Sequence, residues 1–82
     1  VVEVVSPNEL AADLTAKVTD FRAAGVPLVW VIDPDSRQAT VYRADGTLAL
    51  VADPADLSGE GVLPGLVVPL AAVLPAVRPA AP

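Results

Sequence analysis

The sequence contains no cysteine, no histidine and no methionine, and it has only one residue each of tryptophan, tyrosine and phenylalanine. The absence of cysteine and histidine excludes thiol nucleophiles, zinc sites built from those ligands and histidine-based acid–base catalysis. Because aromatic residues are so few, the core has to be built from valine, leucine, isoleucine and alanine. Carboxylates, lysine, hydroxyl groups and the backbone are the groups that remain for chemistry.

Basic residues are also scarce, since five lysines and arginines stand against ten acidic residues and give a net charge of −5. This balance disfavours a broad electrostatic footprint for nucleic acid on this segment. The sequence has no secretory signal and no apolar run near the roughly 20 residues that a membrane span needs, so we expect no membrane partner and a cytoplasmic location. A chain of 82 residues is expected to form one domain at most.

The chain opens with a β-branched run, Val1, Val2, Val4 and Val5, which is interrupted by Glu3. Runs of this composition are typical of strands that are buried on both faces of a parallel sheet. A carboxylate in such a strand is costly unless it is paired, hydrogen-bonded or bound to a cation. Glu3 therefore marks either a sheet end that is open to water or a functional site.

Residues 8–25 have the pattern of an amphipathic helix that is capped by Ser6 or Asn8 and ends at Gly25. The residues of its sheet-facing stripe are spaced by four, three and four, and the third of them is a lysine, Lys17. The members of this stripe are Leu10, Leu14, Lys17 and Phe21.

Glu3 and Lys17 are predicted to converge on one side of the sheet. A lysine on a helix can instead extend its stem along the surface so that the ammonium reaches water, and the helix alone does not decide between these two positions. An inward acid and an inward lysine in one strand–helix unit favour a polar site. A structural ion pair that fixes the register of strand and helix remains an alternative.

Residues 28–33 form a second apolar run that ends at Pro34, so strand, helix and strand together predict a βαβ unit with parallel strands. Asp33, at the end of this run, is interpreted either as the start of a turn, which we favour, or as a polar group near the site. Two alternating segments, residues 39–43 and 47–51, flank Asp45-Gly46 and predict a β-hairpin.

The remainder of the chain is predicted to be less regular. Residues 52–65 are rich in glycine, proline and acids and are expected to form a loop. Residues 66–70 are then expected to form a short closing strand, and residues 70–74 a helical turn. A flexible tail rich in proline and alanine is predicted over residues 75–82.

Taken in order, these blocks resemble the Uma-two-type restriction endonucleases of the PD-(D/E)xK nuclease superfamily, and the resemblance covers residues 1 to about 74. It implies an α/β, restriction-endonuclease-like core fragment, in which residues 1–74 are the C-terminal portion of the nuclease domain. The blocks that carry it are residues 2–7, Asp13 and Lys17, residues 23–26, residues 30–34, residues 41–43 and residues 63–66.

The resemblance implies metal-assisted hydrolysis of DNA phosphodiester bonds, with DNA as the substrate of the intact protein. Glu3 would bind Mg²⁺ or Mn²⁺ together with the backbone carbonyl of Val4. Lys17 would be the lysine of the motif, displaced onto the helix, where it would position or help to deprotonate the attacking water and offset charge on the transition state. Asp13 would orient Lys17 or form an exposed ion pair with it. A homodimer is compatible with this organisation.

Two features depart from the family pattern. A first aspartate lies on a strand upstream of the valine-rich block in the family, so the chain is expected to be an N-terminally truncated fragment. Phe21 stands where the family commonly has tyrosine. Two other classes remain open: a catalytically silent interaction or assembly domain with a structural Glu3–Lys17 pair, and an acidic fragment whose strand edge recruits a protein partner.

Overall fold

The fold is built on a four-stranded mixed sheet with a helix on one face. A computed structural model of the chain describes residues 1–6 and 8–75. The main sheet has the strand order β1-β2-β3-β4, and β5 and β6 form a separate two-stranded sheet. The elements are β1 (Val2–Val4), α1 (Ala11–Ala23), β2 (Leu28–Asp33), β3 (Gln38–Arg43), β4 (Leu48–Ala52), β5 (Asp56–Ser58), β6 (Val67–Pro69) and α2 (Leu70–Val73).

The predicted βαβ unit and the predicted hairpin are both confirmed, as is the α/β fold class. β1 pairs with β2 in parallel, with Glu3 opposite Val31. β3 pairs antiparallel with both β2 and β4. In the hairpin turn Gly46 has a φ of +89°, and Asp45 Oδ1 accepts a hydrogen bond of 2.9 Å from the backbone N–H of Thr47. The turn chemistry read from Asp45-Gly46 therefore sets the register of β3 and β4.

Helix α1 begins later than predicted and ends where predicted. Neither proposed cap is used, because the N-cap residue is Leu10, which has no side-chain capping bond. The preceding residues form a turn instead, in which the N–H of Glu9 donates to the carbonyl of Ser6 at 3.1 Å. At the other end Gly25 has a φ of +83°, and the N–H of Val26 donates to the Phe21 carbonyl at 3.0 Å. This is the hydrogen-bonding pattern of a Schellman motif, which favours glycine at that position.

The apolar stripe of α1 differs from the predicted stripe. Val18 is its buried centre, and Leu14 and Phe21 are partly buried against Val29 and Val31 of β2. Leu10, which was predicted to be the first member, lies before the helix begins and is exposed. The stripe is therefore Leu14, Val18 and Phe21, and Lys17 lies beside it rather than within it.

The opposite face of the sheet carries the larger part of the core. Because side chains alternate along a strand, β2 contributes to both layers, and all of its residues except the last are buried. A second layer, made by β5 and the α2 region, covers the face away from α1. The buried members of this core are Leu28, Trp30, Ile32, Ala39, Val41, Leu57, Leu70 and Leu74.

The prediction that the opening strand is buried on both faces is wrong for this chain. Val2 and Val4 are 55% and 56% exposed. The reason is that β1 is an edge strand of the described sheet, and nothing in the described part of the chain covers these two side chains. The β-branched composition correctly predicted a strand, but it did not predict how much of that strand is exposed.

The segment predicted as a loop over residues 52–65 contains β5, and the closing strand β6 pairs with β5 instead of joining the main sheet. Two of the three acids of this segment form ion pairs with β3 and its flanking turn. Arg37 contacts Asp53 at 3.0 Å, and Arg43 contacts Glu60 at 2.9 Å. These pairs attach the small sheet to the large one.

Two further expectations concern the ends of the chain and membranes. The predicted helical turn over residues 70–74 is present as α2. The tail predicted over residues 75–82 lies, except for Pro75, outside the described residues. Within the ranges that the structure describes, no helix is long and apolar enough to cross a membrane.

Leu57 tests the role of the small sheet in the core. Leu57 is completely buried, whereas Leu50 on β4 is 70% exposed. We expect Leu57→Ala to lower the free energy of unfolding by about 2–5 kcal/mol, because it removes buried surface and leaves a cavity. The matched control Leu50→Ala should change it by less than about 0.5 kcal/mol. Chemical denaturation measures both, and similar losses for the two variants would contradict this packing.

Candidate functional site

The lysine of α1 is held between two carboxylates. Lys17 Nζ donates a hydrogen bond of 3.0 Å to Glu3 Oε1 and one of 2.7 Å to Glu9 Oε1. We refer to Glu3, Glu9 and Lys17 as the ion cluster. The structure thus brings together the acid and the lysine that the sequence singled out, and it adds a second acid that the sequence analysis had not assigned to the site.

Each member of the ion cluster is positioned by a different local feature. Glu3 is the central residue of β1 and shares a sheet face with its β2 neighbour Val31, which packs under α1. Lys17 precedes the buried Val18, so the packing of α1 fixes the direction of its stem. Glu9 lies in the turn that joins β1 to α1. A strand, a connecting turn and a helix therefore converge on one ammonium group.

The three side chains differ strongly in exposure. The Glu9 side chain is 10% exposed, whereas that of Lys17 is 48% exposed. The Glu3 side chain is intermediate, at 23%. The two carboxylates are thus largely shielded from solvent, whereas the Lys17 side chain is accessible. An anionic ligand can therefore approach Lys17 from solvent.

The two carboxylates favour the charged form of Lys17. Its pKa is raised above the ordinary lysine value, first by the hydrogen bond to Glu9 and then by the hydrogen bond to Glu3. The pKa of the Glu9 carboxyl is lowered, chiefly by the same hydrogen bond from Lys17. In this arrangement Lys17 is an ammonium that can donate hydrogen bonds and offset negative charge, and it is not a free base.

The two candidate supporting residues, Asp13 and Asp33, take different positions. Asp13 is exposed in the first turn of α1, and within the described part of the chain Lys17 donates to Glu3 and Glu9 and not to Asp13. Asp33 Oδ1 accepts a hydrogen bond of 3.0 Å from the N–H of Asp35, so the favoured turn interpretation describes its local role.

Glu9 was missed because the helix was expected to include it. In a continuous α-helix, residues eight positions apart are separated by about 12 Å along the axis, which is too far for contact. The observed helix begins at Ala11, and the turn before it carries Glu9 back toward Lys17. The residue at which a helix begins is hard to predict from sequence. In this chain it determines whether Glu9 can reach Lys17.

The oxygen atoms of Glu3 and Val4 suit a hard divalent cation in chemical type. The bonds from Trp30 N–H to the Val1 carbonyl and from Val5 N–H to the Ile32 carbonyl show that odd-numbered residues of this segment pair with β2. By the alternation of strand backbones, the Val4 carbonyl faces the open edge of β1. Among the described residues there is no group of three or more acids placed to hold a metal, so these oxygens provide only part of a coordination sphere.

Glu9 gives the ion cluster a defined pH response. Because the folded-state pKa of Glu9 lies below its ordinary value of 4.5, its ion pair stabilises the fold above that pH, and the contribution is lost as the pH falls through the folded-state pKa. We expect Glu9→Gln to be less stable than the parent at pH 7, with the difference shrinking below about pH 4.5. Thermal melts over this pH range measure it.

Asp20→Asn is the matched control for Glu9→Gln. Asp20 is an exposed acid of the same helix and forms no ion pair with any residue in the described ranges. Asp20→Asn should leave the change in melting temperature at acidic pH the same as in the parent. A Glu9→Gln profile that runs parallel to that of the parent at every pH would show that Glu9 and Lys17 are not paired in solution.

Comparison with known proteins places this geometry in a family. The family Uma2, described as "Putative restriction endonuclease", matches residues 1–72. No curated protein matches the chain. Among solved structures, the crystal structure of a putative nuclease belonging to DUF820 from Anabaena variabilis ATCC 29413 has a similar fold, with a TM-score of 0.74 and 22% sequence identity.

The solved DUF820 protein is considerably longer than this chain. The matched region covers 85% of the chain but 40% of the solved structure, so the chain spans well under half the length of the protein it resembles. The family match, in contrast, extends over nearly all of the described residues and includes the whole ion cluster. The chain therefore belongs to the Uma2 family.

Proposed function

We propose that this chain is the part of a metal-dependent endonuclease that carries the glutamate and the lysine of the active site, with DNA as the substrate of the complete protein. The observation that carries this proposal is the 3.0 Å contact between Lys17 on α1 and Glu3 on β1 in a chain of the Uma2 family. An acid on a sheet strand beside a lysine provides the two kinds of group that phosphodiester hydrolysis requires: an anionic oxygen that can hold a cation, and a fixed positive charge.

Lys17 acts as a charge-stabilising donor in this proposal. Its ammonium is kept protonated by two carboxylates, while about half of its side chain remains accessible. A phosphate that reaches it from solvent would receive hydrogen bonds and positive charge where negative charge builds up during attack by water. Glu9 fixes the direction of the ammonium, so less of its motion has to be frozen when the substrate arrives.

Glu3 and the Val4 carbonyl would hold a magnesium or manganese ion, which when bound polarises the phosphate and lowers the pKa of a water ligand. Lys17 contacts one oxygen of Glu3, Oε1. While Glu3 binds the cation, the shorter contact to Glu9, 2.7 Å, would keep Lys17 in place. Because Glu9 holds Lys17, Glu3 can bind the cation while Lys17 donates hydrogen bonds to the phosphate.

The complete catalytic unit is proposed to include a strand that pairs with the open edge of β1 and supplies a further aspartate, as the resemblance implies. Three observations support an additional covering segment. Val2 and Val4 are exposed on that edge. An apolar groove of about 150 Å³ beside them is lined by Trp30, whose buried Nε1 has no partner in the described part of the chain. The chain also spans 40% of the solved nuclease.

A purely structural role for the ion cluster receives less support from the geometry. Lys17 is about half exposed, and ion pairs at exposed positions contribute little to stability because water screens them. A buried ion pair is sensitive to the loss of one partner because the remaining charge stays desolvated. This penalty is small at the partly exposed Lys17. A homodimer remains a prediction.

Substitution of Lys17 in the full-length protein tests this function. Lys17→Met keeps the length and apolar packing of the stem but removes the ammonium. We expect the rate of magnesium-dependent plasmid cleavage to fall by about 10²–10⁴-fold, as for other positioned charge-stabilising groups. The melting temperature should fall only slightly, by about as much as for Glu9→Gln, because both substitutions break a partly exposed ion pair that water screens. Glu3→Gln should lower cleavage at least as much, because it weakens the cation site.

Arg22→Met is the matched control for Lys17→Met. Arg22 is an exposed cation in the last turn of the same helix and is not ion-paired to any residue in the described ranges. Its substitution removes the same charge without touching the ion cluster. The proposal fails if Lys17→Met cleaves DNA at the parental rate, or if Arg22→Met and Lys17→Met lose activity equally.

A further inference from the structure

We propose that a cleft beside the ion cluster binds one unpaired base of the nucleic acid, and that it prefers a base with an exocyclic amino group. This inference rests on the proposed nuclease function, which it extends from the scissile phosphate to an adjacent nucleotide. The cleft has a volume of about 310 Å³ and lies between the start of α1 and the strands β2 and β3. Its lining includes Glu9, Leu14, Val31, Asp33, Gln38 and Thr40.

Strand register explains why polar side chains converge on this cleft. Asp33 lies opposite Gln38, and Val31 lies opposite Thr40 in the antiparallel pair of β2 and β3. Cross-strand neighbours share a sheet face, so these residues lie on the face that α1 covers only in part. Within the described part of the chain, the side chains of Gln38 and Thr40 form no hydrogen bonds with other protein groups. Their polar groups are available to a ligand.

The floor and the size of the cleft suit a flat heterocycle. Val31 is buried and Leu14 partly buried beneath it, and Tyr42 forms part of the same wall. An apolar surface with a few convergent polar groups is the usual composition of a small-ligand site, and this volume is at the lower end of the range for such sites. A single base fits, whereas a base pair with its backbones does not, so the base has to be unpaired or flipped out.

The negative charge of the cleft favours entry of the base of a nucleotide over entry of its phosphate. Glu9 and Asp33 contribute carboxylates to the lining, and none of the lysines and arginines among residues 1–6 and 8–75 contributes to it. Such a lining repels a phosphate but accepts hydrogen bonds from N–H groups. Glu9 uses Oε1 for Lys17, and Asp33 uses Oδ1 for the N–H of Asp35. Asp33 therefore keeps Oδ2 for the ligand, whereas the Glu9 carboxylate also interacts with the backbone of Ser6.

The free acceptor of Asp33 favours amino-bearing bases. Cytosine and adenine present an exocyclic amino group with two hydrogens, whereas thymine presents a carbonyl at the equivalent position. A carbonyl placed against a carboxylate is repelled and leaves that acceptor unsatisfied. The hydroxyl of Thr40 and the amide of Gln38 can pair with the remaining ring atoms of several bases, so they add affinity more than selectivity.

The position of Glu9 connects the cleft to the proposed chemistry. Glu9 lines the cleft and at the same time holds Lys17 at 2.7 Å. A base in the cleft would therefore place its own backbone next to the ion cluster, on the side where Lys17 is open to solvent. The cleft would fix the nucleotide beside the bond to be cut, and it would make unpaired regions the preferred substrates.

Nucleosides test the inference without phosphate, metal or cleavage. We would titrate the full-length protein with deoxycytidine and with thymidine and follow backbone amide shifts by NMR. We expect deoxycytidine to bind about tenfold more tightly than thymidine, the effect of one well-formed base contact. The shifts should centre on residues 33–42. Asp33→Asn should bring the affinities for the two nucleosides close together, and Gln38→Ala or Thr40→Val should weaken both.

Thr15→Val is the matched control for Thr40→Val, because Thr15 is an exposed threonine of α1 that does not line the cleft. It should leave both affinities unchanged. Equal affinity for the two nucleosides, or shifts outside the cleft, would overturn the inference, even if the protein proves to be a nuclease. Selective binding of deoxycytidine by a protein that cleaves no DNA would refute the proposed function and leave the base site standing.

Discussion

One ammonium group shared by two carboxylates sets the arrangement of the candidate site. Lys17 contacts Glu3 and Glu9 at 3.0 and 2.7 Å, and these contacts connect the first strand, the turn that follows it and the helix. Hydrophobic packing constrains α1 weakly, since Val18 is the single buried residue of that helix. The ion cluster defines how α1 is oriented beside β1, which the hydrophobic contacts of α1 alone leave less defined.

The sheet explains why the cluster lies at one end of the structure. β2 is buried on both faces because α1 covers one face and the β5–β6 sheet covers the other. β1 and β4 are the edges of the main sheet, and side chains on β1 are less enclosed than those on the central strand β2. Glu3 lies on the edge strand beside α1, where it is partly desolvated and still reachable from solvent.

Local signals predicted the elements well. Alternation and the Asp45-Gly46 turn located the hairpin, Gly25 located the end of α1, and the apolar composition of residues 28–33 located the central strand. These features are decided within a few residues of the chain, by turn geometry and by the period of the hydrophobic pattern. The pairing of Glu3 with Lys17 was also predictable, because a parallel βαβ unit leaves few ways to place the helix over the strand.

Features that depend on tertiary context were missed. The start of α1 moved from residue 8 to Ala11, and with it Glu9 changed from a residue of the first helical turn to a partner of Lys17. β5 was hidden in a segment rich in acids and turn residues, because two of those acids are neutralised by Arg37 and Arg43 from a distant part of the chain. Val2 and Val4 were expected to be buried because composition cannot tell an edge strand from a central one.

The central claim is that Glu3 holds a cation while Lys17 remains beside it to meet the phosphate. The most direct measurement is the anomalous scattering of manganese in crystals of the full-length protein soaked with Mn²⁺. The account predicts a peak within about 2.5 Å of a Glu3 carboxylate oxygen, with the Lys17 ammonium still in contact with Glu9. A peak bound only by other residues, with Glu3 still paired to Lys17, would contradict it.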